Sequence, residues 1–476
     1  MIQPHFRGLR VPDRMGWTAV LVVAAALAAA TGIATFAPGF MSNDTLYQLR
    51  QAQGVDPLTD WHPPVMSLAW RLLIAVTGTY AAMAVVQQVV LWTSLCVVAA
   101  VVHRMTGSRW WSMAFLALGL VPPVVSFSGV VWKDVQMAQA MLAATAIVFL
   151  GLVWRRRPAW VRWVLVPLAV LLLVYALLVR KNAAVAMLPM VYLVYRAWFP
   201  VRSRRALAAV GVGFVVTAVV ASALIGVLAR PQATDQLSAL AIDDVIHVLP
   251  PDAIEHSHLS PRLRDKLLSA QATCLAKKSL TNNYWTCYGR GEHGAFSPIA
   301  DHAELSAAWP GMMAQHPVGY VQYRIEVYTQ FLFNNRDLWQ DGVLSNSMGI
   351  TVDHPRLVAS LRSYVLDFGV RNLPWLFGAW FWLGVSVLQS LRWRPSRTSP
   401  FGVLVPCLGL SSFLYIAAYF PTAPATDFRY VYWPVVAGSL GLLVMALERW
   451  GPASTHGARD EVLPPVHDAV RGEAHS

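Results

Sequence analysis

Charged and polar residues that could do chemistry occur in a few short stretches, each next to an apolar run. The first stretch, residues 41–67, holds the carboxylates Asp44 and Asp60 and a Trp-His-Pro-Pro sequence at 61–64. The others contain Trp132, Lys133 and Asp134; Arg180, Lys181 and Asn182; and Asp427, Arg429 and Tyr430. A carboxylate can act as general base for attack by a hydroxyl. Cations can hold a phosphate and stabilise the charge that develops on it as a leaving group.

The apolar runs between these stretches indicate the class of fold. They recur with lengths of about 20 residues, enough to cross a hydrocarbon core of roughly 30 Å. The chain of 476 residues is 56% hydrophobic and only 13% charged, whereas about a quarter of the residues in a soluble domain are charged. We therefore expect an all-α polytopic membrane protein with about ten transmembrane helices. The net charge of +12 does not indicate nucleic acid, because Lys and Arg gather in short loops, as orientation signals do.

The charge pattern orients the crossings. We predict them at residues 17–37, 81–102, 111–131, 135–154, 163–179, 183–199, 206–228, 373–391, 400–419 and 431–447. The basic clusters between crossings, at 104–109, 155–157, 202–205 and 392–397, all fall on one side, which is then the cytoplasmic side. The expected divisions are a cytoplasmic N-terminus (1–16), spans one to seven (17–229) with a first outer loop (39–80), an extracytoplasmic segment (230–370), the last three spans (371–450) and a disordered cytoplasmic tail (451–476). We expect the protein in the inner (plasma) membrane, with membrane lipid as a partner.

The first outer loop is predicted to contain two helices that lie along the membrane interface. Leu46, Leu49 and Ala52 share one face of a helix over 43–53, which Gly54 can end. A second helix, at about 65–76, begins at two prolines and is too short to cross. In the third crossing, prolines at 122 and 123 are expected to introduce a bend.

This topology places the polar stretches together at the outer face. The centres of the predicted crossings carry no Asp, Glu, Lys or Arg, whereas transporters usually place ionisable groups near the midplane. The pattern favours chemistry on a lipid-borne substrate at the interface. Two other interpretations stay open, namely a flippase or transporter for lipid-linked saccharides and a non-catalytic scaffold for envelope assembly.

Individual residues also have structural interpretations that remain open. Asp44 could cap the short helix, and His62 could simply precede a helix start. Lys133 and Asp134 could form a solvated corner. Cations at an outer face often bind lipid head groups without taking part in catalysis.

The order of the motifs resembles that of the GT-C superfamily of integral-membrane glycosyltransferases, and in particular a bacterial branch of it. The matching positions are Asp44 with 61–64, 132–134, Arg180 with Asn182, His316, Pro317, Tyr320 and Arg324, and Arg429 with Tyr430. Thr45 follows Asp44 where some members have a second acidic residue. No metal site is therefore assigned, no cofactor is certain, and a divalent metal remains possible.

The resemblance implies transfer of a hexose or pentose from a polyprenyl-phosphate-linked donor to a cell-envelope acceptor, by single displacement with inversion. It implies Asp44 as the general base. We expect Lys133, Arg180 and Arg429 to hold the donor phosphate. Supporting roles are expected for Asp60, His62, Asp134, Asn182 and Tyr430.

The segment 230–370 offers fewer indications. Cys274 and Cys287 are thirteen residues apart and are expected to form a disulfide outside the cytoplasm. A helix over 318–333 places Tyr320, Arg324 and Tyr328 on one stripe, which could stack on sugar or anchor at the interface. The acidic residues Asp235, Asp243, Asp244 and Glu255 are expected to lie on the surface.

Overall fold

The computed structural model describes residues 14–153, 158–199, 203–289, 302–342, 346, 348–392 and 401–452. Within these ranges the chain is helical, without β-strands beyond three isolated bridges, and the expected all-α polytopic membrane protein is confirmed. The expected tail, except for its first two residues, and the basic cluster at 155–157 lie outside the described residues. The α-helices are α1 Arg14–Phe36, α2 Asn43–Gln53, α3 Pro64–Thr77, α4 Ala82–Thr106, α5 Arg109–Leu116, α6 Pro122–Ser128, α7 Lys133–Val153, α8 Ala159–Val179, α9 Ala184–Trp198, α10 Arg204–Ala229, α11 Ser238–Val248, α12 Pro251–Glu255, α13 Pro261–Ala276, α14 His302–Gln315, α15 Pro317–Phe333, α16 Pro355–Ser363, α17 Ala379–Leu391, α18 Leu404–Ala417 and α19 Tyr432–Trp450.

Fewer helices are long enough to cross a membrane than the sequence suggested. Among the described residues, six are long and apolar enough, and the pair Arg109–Leu120 and Pro122–Ser128, bent by 51°, could be a seventh. Three other predicted crossings coincide with α9, α17 and α18, which have 15, 13 and 14 residues. Two of them are short because the chain before them forms separate turns, Lys181–Ala183 before α9 and Pro374–Phe377 before α17.

The helices surround α7, which is the most deeply buried of the long helices. It contacts α4, α8, α9 and α19, and 83% of its most apolar window is buried. Peripheral α10 packs against α8 and α9 and has only 6% of its window buried. Because α7 begins at Lys133, this central helix places one of the polar stretches at one end of the bundle.

The first loop folds as its local sequence predicts. Ser42 caps α2 by accepting a hydrogen bond from the Thr45 N–H, and Gly54 ends the helix with a φ of 76°, a conformation that glycine adopts without steric cost. Asp44 therefore does not cap α2. Arg71 of α3 donates to the Gln51 carbonyl oxygen at 2.7 Å, which fixes the two loop helices to each other.

The 230–370 segment has its own apolar core, and Cys274 and Cys287 form a disulfide within it. The expectation that Asp243 and Asp244 lie on the surface is wrong. Their side chains are buried because polar partners surround them: the Tyr288 hydroxyl donates to Asp243 at 2.9 Å, and the Trp309 indole donates to Asp244 at 2.9 Å.

Arg324 joins this segment to the transmembrane bundle. It is 1% exposed, forms an ion pair with Asp244 and donates to the Ala423 carbonyl oxygen at 3.2 Å. Tyr328 of the same stripe donates to the Ile416 carbonyl oxygen at 3.3 Å. Arg324 and Tyr328 therefore make contacts within the protein. These two residues of the stripe that also contains Tyr320 do not form a surface for sugar or lipid.

The buried carboxyls predict that the protein is more stable at mildly acidic pH. Burial raises the pKa of both Asp243 and Asp244 to about 6, above the value of about 3.9 in an unfolded chain. Between these values the folded state binds more protons, so stability falls as the pH rises from about 4 to 6 and is level above that. We expect a melting temperature several degrees higher at pH 5 than at pH 8, measured on purified protein in detergent.

The variant Asp243→Asn provides the control for this pH dependence. Its amide oxygen can still accept the Tyr288 hydroxyl, but the side chain no longer titrates. The difference between the two melting temperatures should shrink. An undiminished difference in both Asp243→Asn and Asp244→Asn would contradict the assignment.

Candidate active site

Three of the four polar stretches meet around Asp44 at the end of the bundle where α7 begins. The Arg429 Nη1 donates to Asp44 Oδ2 at 2.9 Å. The His62 Nε2 lies 4.0 Å from Asp44 Oδ1, and the Lys133 ammonium lies 3.0 Å from His62 Nδ1. The carboxylate thus has two cationic partners from different parts of the chain. It contacts Arg429 directly and Lys133 through His62.

Backbone hydrogen bonds hold the first loop against residues 129–131, which lie just before Lys133. The Val131 N–H donates to the Phe40 carbonyl oxygen at 3.0 Å, and the Phe40 N–H donates to Gly129 at 3.0 Å. The Trp132 indole donates to Ser42 at 2.7 Å, so the residue that caps α2 is also bonded to the residue before Lys133. A Cβ at Gly129 would overlap the Phe36 ring, and this close approach requires glycine.

The Asp44 carboxylate is ionised and partly accessible. Burial alone would raise its pKa, but the positive charge of Arg429, together with the His62–Lys133 pair, holds the pKa well below its usual range. A quarter of the side chain remains exposed, at 25%. A substrate can therefore reach a carboxylate that carries its negative charge throughout the physiological pH range.

A second carboxylate on the other side of Arg429 has the opposite shift. Asp427 Oδ2 lies 3.0 Å from Arg429 Nε, yet burial raises the pKa of Asp427 to about 6 against the influence of Arg429. Two carboxyls whose surroundings separate their pKa values are a common arrangement in sites that do acid–base chemistry.

His62 is held neutral and in one tautomer. Burial lowers its pKa to about 3, and the Lys133 ammonium adds to this shift. An ammonium can only donate, so His62 Nδ1 accepts from Lys133 and the ring proton lies on Nε2. That N–H faces Asp44, which indicates that His62 positions the carboxylate and transmits the influence of Lys133.

This tautomer predicts different effects for two substitutions of His62. A glutamine places its amide near the former Nε2 and can still donate toward Asp44, whereas an asparagine places its amide near Nδ1 and can satisfy only Lys133. We expect His62→Gln to retain most of the catalytic rate and His62→Asn to lose about 10- to 100-fold, the effect of an unsatisfied buried group of about 1–3 kcal/mol. Catalytic rates of purified variants test this order, and a more active Asn variant would refute the assigned tautomer.

Arg180 lies next to this cluster with part of its hydrogen-bonding capacity already used. Its Nε is 3.1 Å from the fully buried Asp134, and its Nη2 donates to the Tyr419 hydroxyl at 2.8 Å. The guanidinium carbon lies 5.0 Å from the centre of the Tyr430 ring, and that ring stacks on Tyr419. Asp134 and Tyr430 therefore orient Arg180, which adds positive charge at the same end of the bundle.

Two of the predicted supporting residues have other surroundings. Asp60 Oδ1 accepts from the Thr234 N–H at 2.7 Å and from its hydroxyl at 2.6 Å, which ties the first loop to the start of the 230–370 segment. Asn182 lies half-buried in the turn Lys181–Ala183 beside Arg180.

The structure adds Tyr419, Asp427 and Trp132 to the predicted site residues. The Arg429 guanidinium carbon lies 4.6 Å from the centre of the Trp132 ring, a cation–π geometry. Trp132 and Asp427 belong to two of the polar stretches in the sequence, but no role in the site was predicted for them. Tyr419 had no such signal, since a tyrosine at the end of a crossing is typical of any membrane interface.

The donor set around Asp44 is a poor fit for a divalent cation. In the part of the chain that the structure describes, no three His, Cys, Asp or Glu residues are placed to hold a metal ion. Arg429 and the His62–Lys133 pair occupy the sides of the carboxylate where a cation would bind, and they would repel it. Arg429 supplies positive charge there itself.

Comparison with known protein families finds no match, and neither does comparison with curated proteins. Among solved structures, the chain is similar to ArnT from Cupriavidus metallidurans bound to undecaprenyl phosphate, with 13% identity and a TM-score of 0.35 over 91% of this chain and 79% of ArnT. It is also similar to the oligosaccharyltransferase AglB from Archaeoglobus fulgidus, in complex with an inhibitory peptide and a dolichol-phosphate. That match has 14% identity and a TM-score of 0.39 over 92% of this chain, which spans 51% of AglB.

Both matches have low sequence identity and low TM-scores, so the functional argument below rests on the side chains around Asp44.

Proposed function

We propose that this protein is a membrane glycosyltransferase that moves a sugar from a polyprenyl-phosphate donor to a hydroxyl of a cell-envelope acceptor. One observation carries the proposal: a partly exposed, ionised Asp44 lies beside Arg429 and the His62–Lys133 pair at one end of a bundle of apolar helices. A lipid phosphate would have its charged head group at such an end and its tail along the helices.

The proposed reaction is a single displacement with inversion. The acceptor oxygen attacks the anomeric carbon of the donor sugar while its proton passes to the Asp44 carboxylate. The bond from the anomeric carbon to the phosphate oxygen breaks, and polyprenyl phosphate leaves with the bonding electrons. Arg429 and Lys133 stabilise the charge on the leaving phosphate, and Arg180 adds to the positive potential. Asp44 accepts the proton directly, and no step requires a metal.

Arg429 also suggests how donor binding would prepare the base. Without a donor, its contact with Asp44 at 2.9 Å keeps the pKa of the carboxyl low, and a carboxylate with a low pKa is a weak base. A donor phosphate would attract the same guanidinium, because arginine binds phosphate strongly. The pKa of Asp44 would then rise when the substrate is present and the base is needed.

The proposed reaction requires the site to face the extracytoplasmic side of the inner membrane, with both termini in the cytoplasm. The disulfide between Cys274 and Cys287 supports this orientation of the 230–370 segment, because disulfides persist in oxidising compartments.

Lipid extracts from a deletion strain test the proposal. We expect the strain to accumulate a polyprenyl-linked sugar, detectable by mass spectrometry, and the purified protein in detergent to release polyprenyl phosphate from that lipid when envelope acceptor is added. A flippase would cause accumulation as well, but it has no reaction to catalyse in detergent micelles. A strain without the accumulated lipid, or a purified protein without this turnover, would refute the proposed function.

A further inference from the structure

A groove beside the active site is lined by residues that the proposed mechanism does not use. Its volume is about 580 Å³, within the range of roughly 300–1,000 Å³ for small-molecule sites. One wall is formed by residues 333–338, from the end of α15 onward, and the other by residues 370–380, ahead of and at the start of α17.

Hydrogen bonds fix this groove to the segment that supplies Arg429. The Arg336 N–H donates to the Thr426 carbonyl oxygen at 3.0 Å, and the Phe428 N–H donates to Arg336 at 3.0 Å. Asn335 joins the two walls, because its side-chain oxygen accepts from the Ala379 N–H at 2.8 Å. Arg336, which lines the groove, is therefore bonded to Phe428, and Phe428 directly precedes the arginine that contacts Asp44.

Aromatic rings are exposed in the groove and held in place. Trp375 is 40% exposed and Trp380 is 44% exposed. The Trp375 ring packs edge-on against Phe381 with centroids 4.6 Å apart. The Trp380 indole lies back over Gly378, where a Cβ would come within 2.5 Å of its Nε1. The rings are thus fixed surfaces that are available to a ligand.

Polar groups at the end of α15 complement these rings. Asn334 and Arg336 are exposed and carry amide and guanidinium donors, and both line the groove. A sugar ring has an apolar C–H face that can pack on an indole, and hydroxyls at its edge that accept hydrogen bonds. Fixed aromatic surfaces opposite side-chain donors fit this combination.

We infer that this groove binds the saccharide part of the acceptor and presents one of its hydroxyls to Asp44. The inference rests on the proposed function. A polyprenyl tail is a poorer occupant, because it offers nothing to the donors of Asn334 and Arg336, and covering polar groups without partners is unfavourable. Membrane anchoring alone would not require the two tryptophans to line a concave groove next to Arg429.

The rate at which water hydrolyses the donor distinguishes a groove that binds the acceptor from a groove that binds the donor. Without acceptor, water can attack the anomeric carbon and give its proton to Asp44, which releases the free sugar and polyprenyl phosphate. We would use the polyprenyl-linked sugar isolated from the deletion strain as donor, and the unmodified envelope saccharide of that strain as acceptor. Trp380→Ala is expected to keep the hydrolysis rate and to lose transfer roughly tenfold or more, the effect of a lost aromatic contact.

Two further variants make this test decisive. Asn334→Ala removes an exposed side chain whose amide donates to the Gln330 side chain one turn earlier at 2.8 Å. The fold should persist without this exposed contact, and transfer should weaken in the same selective way. Trp110→Ala removes a tryptophan that is 78% exposed in the first turn of α5, and should change neither rate. Loss of both rates in Trp380→Ala would assign the groove to the donor, and unchanged transfer in Trp380→Ala and Asn334→Ala would leave it without a substrate. Either result overturns the inference, whereas failure of the wild-type protein to turn over donor would refute the proposed function itself.

Discussion

Replacing Asp44 with Asn is expected to lower the rate of sugar transfer about 1,000-fold or more, because general base catalysis contributes roughly 10²- to 10⁴-fold. An amide cannot take up the acceptor proton at neutral pH. The fold should be unaffected, since Ser42 and not Asp44 caps α2 and Arg429 can still donate to the amide oxygen. The measurement is the release of polyprenyl phosphate by purified protein, with the donor lipid followed by mass spectrometry.

A second carboxylate in the same loop gives a matched control. Asp56 is partly exposed and pairs with Arg50 at 2.7 Å, and a surface pair of this kind contributes about 0–1 kcal/mol. Asp56→Asn should therefore retain wild-type activity. Full activity in Asp44→Asn would exclude that residue as the base, and equal losses in both variants would indicate a general disturbance of the loop.

Replacing Arg429 with Gln is expected to have the next largest effect, a loss of about 100- to 1,000-fold, as when a single group that stabilises a leaving anion is removed. The guanidinium contacts Asp44 at 2.9 Å and Asp427 at 3.0 Å, and the proposal requires it to hold the donor phosphate. Arg429→Lys keeps the charge but cannot keep both contacts with its single nitrogen, so we expect an intermediate rate.

The variant Arg429→Gln should also change the pH dependence of the rate. In the donor-free wild-type protein the pKa of Asp44 is so low that its carboxylate stays ionised, so at low donor concentration it causes no loss of rate above about pH 5. Without Arg429, burial is no longer fully opposed and the pKa rises. Because the ionised form is the base, the rate of Arg429→Gln should fall as the pH drops from about 6 to 4. A rate profile for Arg429→Gln with the same shape as wild type would show that Arg429 does not control Asp44.

Local features of the structure were predictable because their causes are local. Helix α2 follows from the spacing of its apolar residues and from Gly54, and the bend in the third crossing follows from two adjacent prolines. The convergence of Asp44, Lys133 and Arg429 was predictable only as a shared membrane face, from the positions of basic clusters between apolar runs.

Other features depend on partners that the sequence does not mark. Asp243 and Asp244 look like surface residues, and only the fold brings Tyr288 to the first and Arg324 and Trp309 to the second. Hydropathy also gave no sign that α9 and α17 are short helices, because a window of apolar residues does not register the turns that precede them. The neutral state of His62 could not be inferred either, since it depends on burial beside Lys133.

The contact between Asp44 and Arg429 joins residues that lie 385 positions apart. During translation, the acidic residue is inserted early, and its guanidinium partner emerges from the ribosome only after nearly all of the chain has been made. A nascent or truncated polypeptide therefore has no complete catalytic centre. Co-expressed fragments divided between the end of α18 and Asp427 should be inactive separately and regain activity only on association.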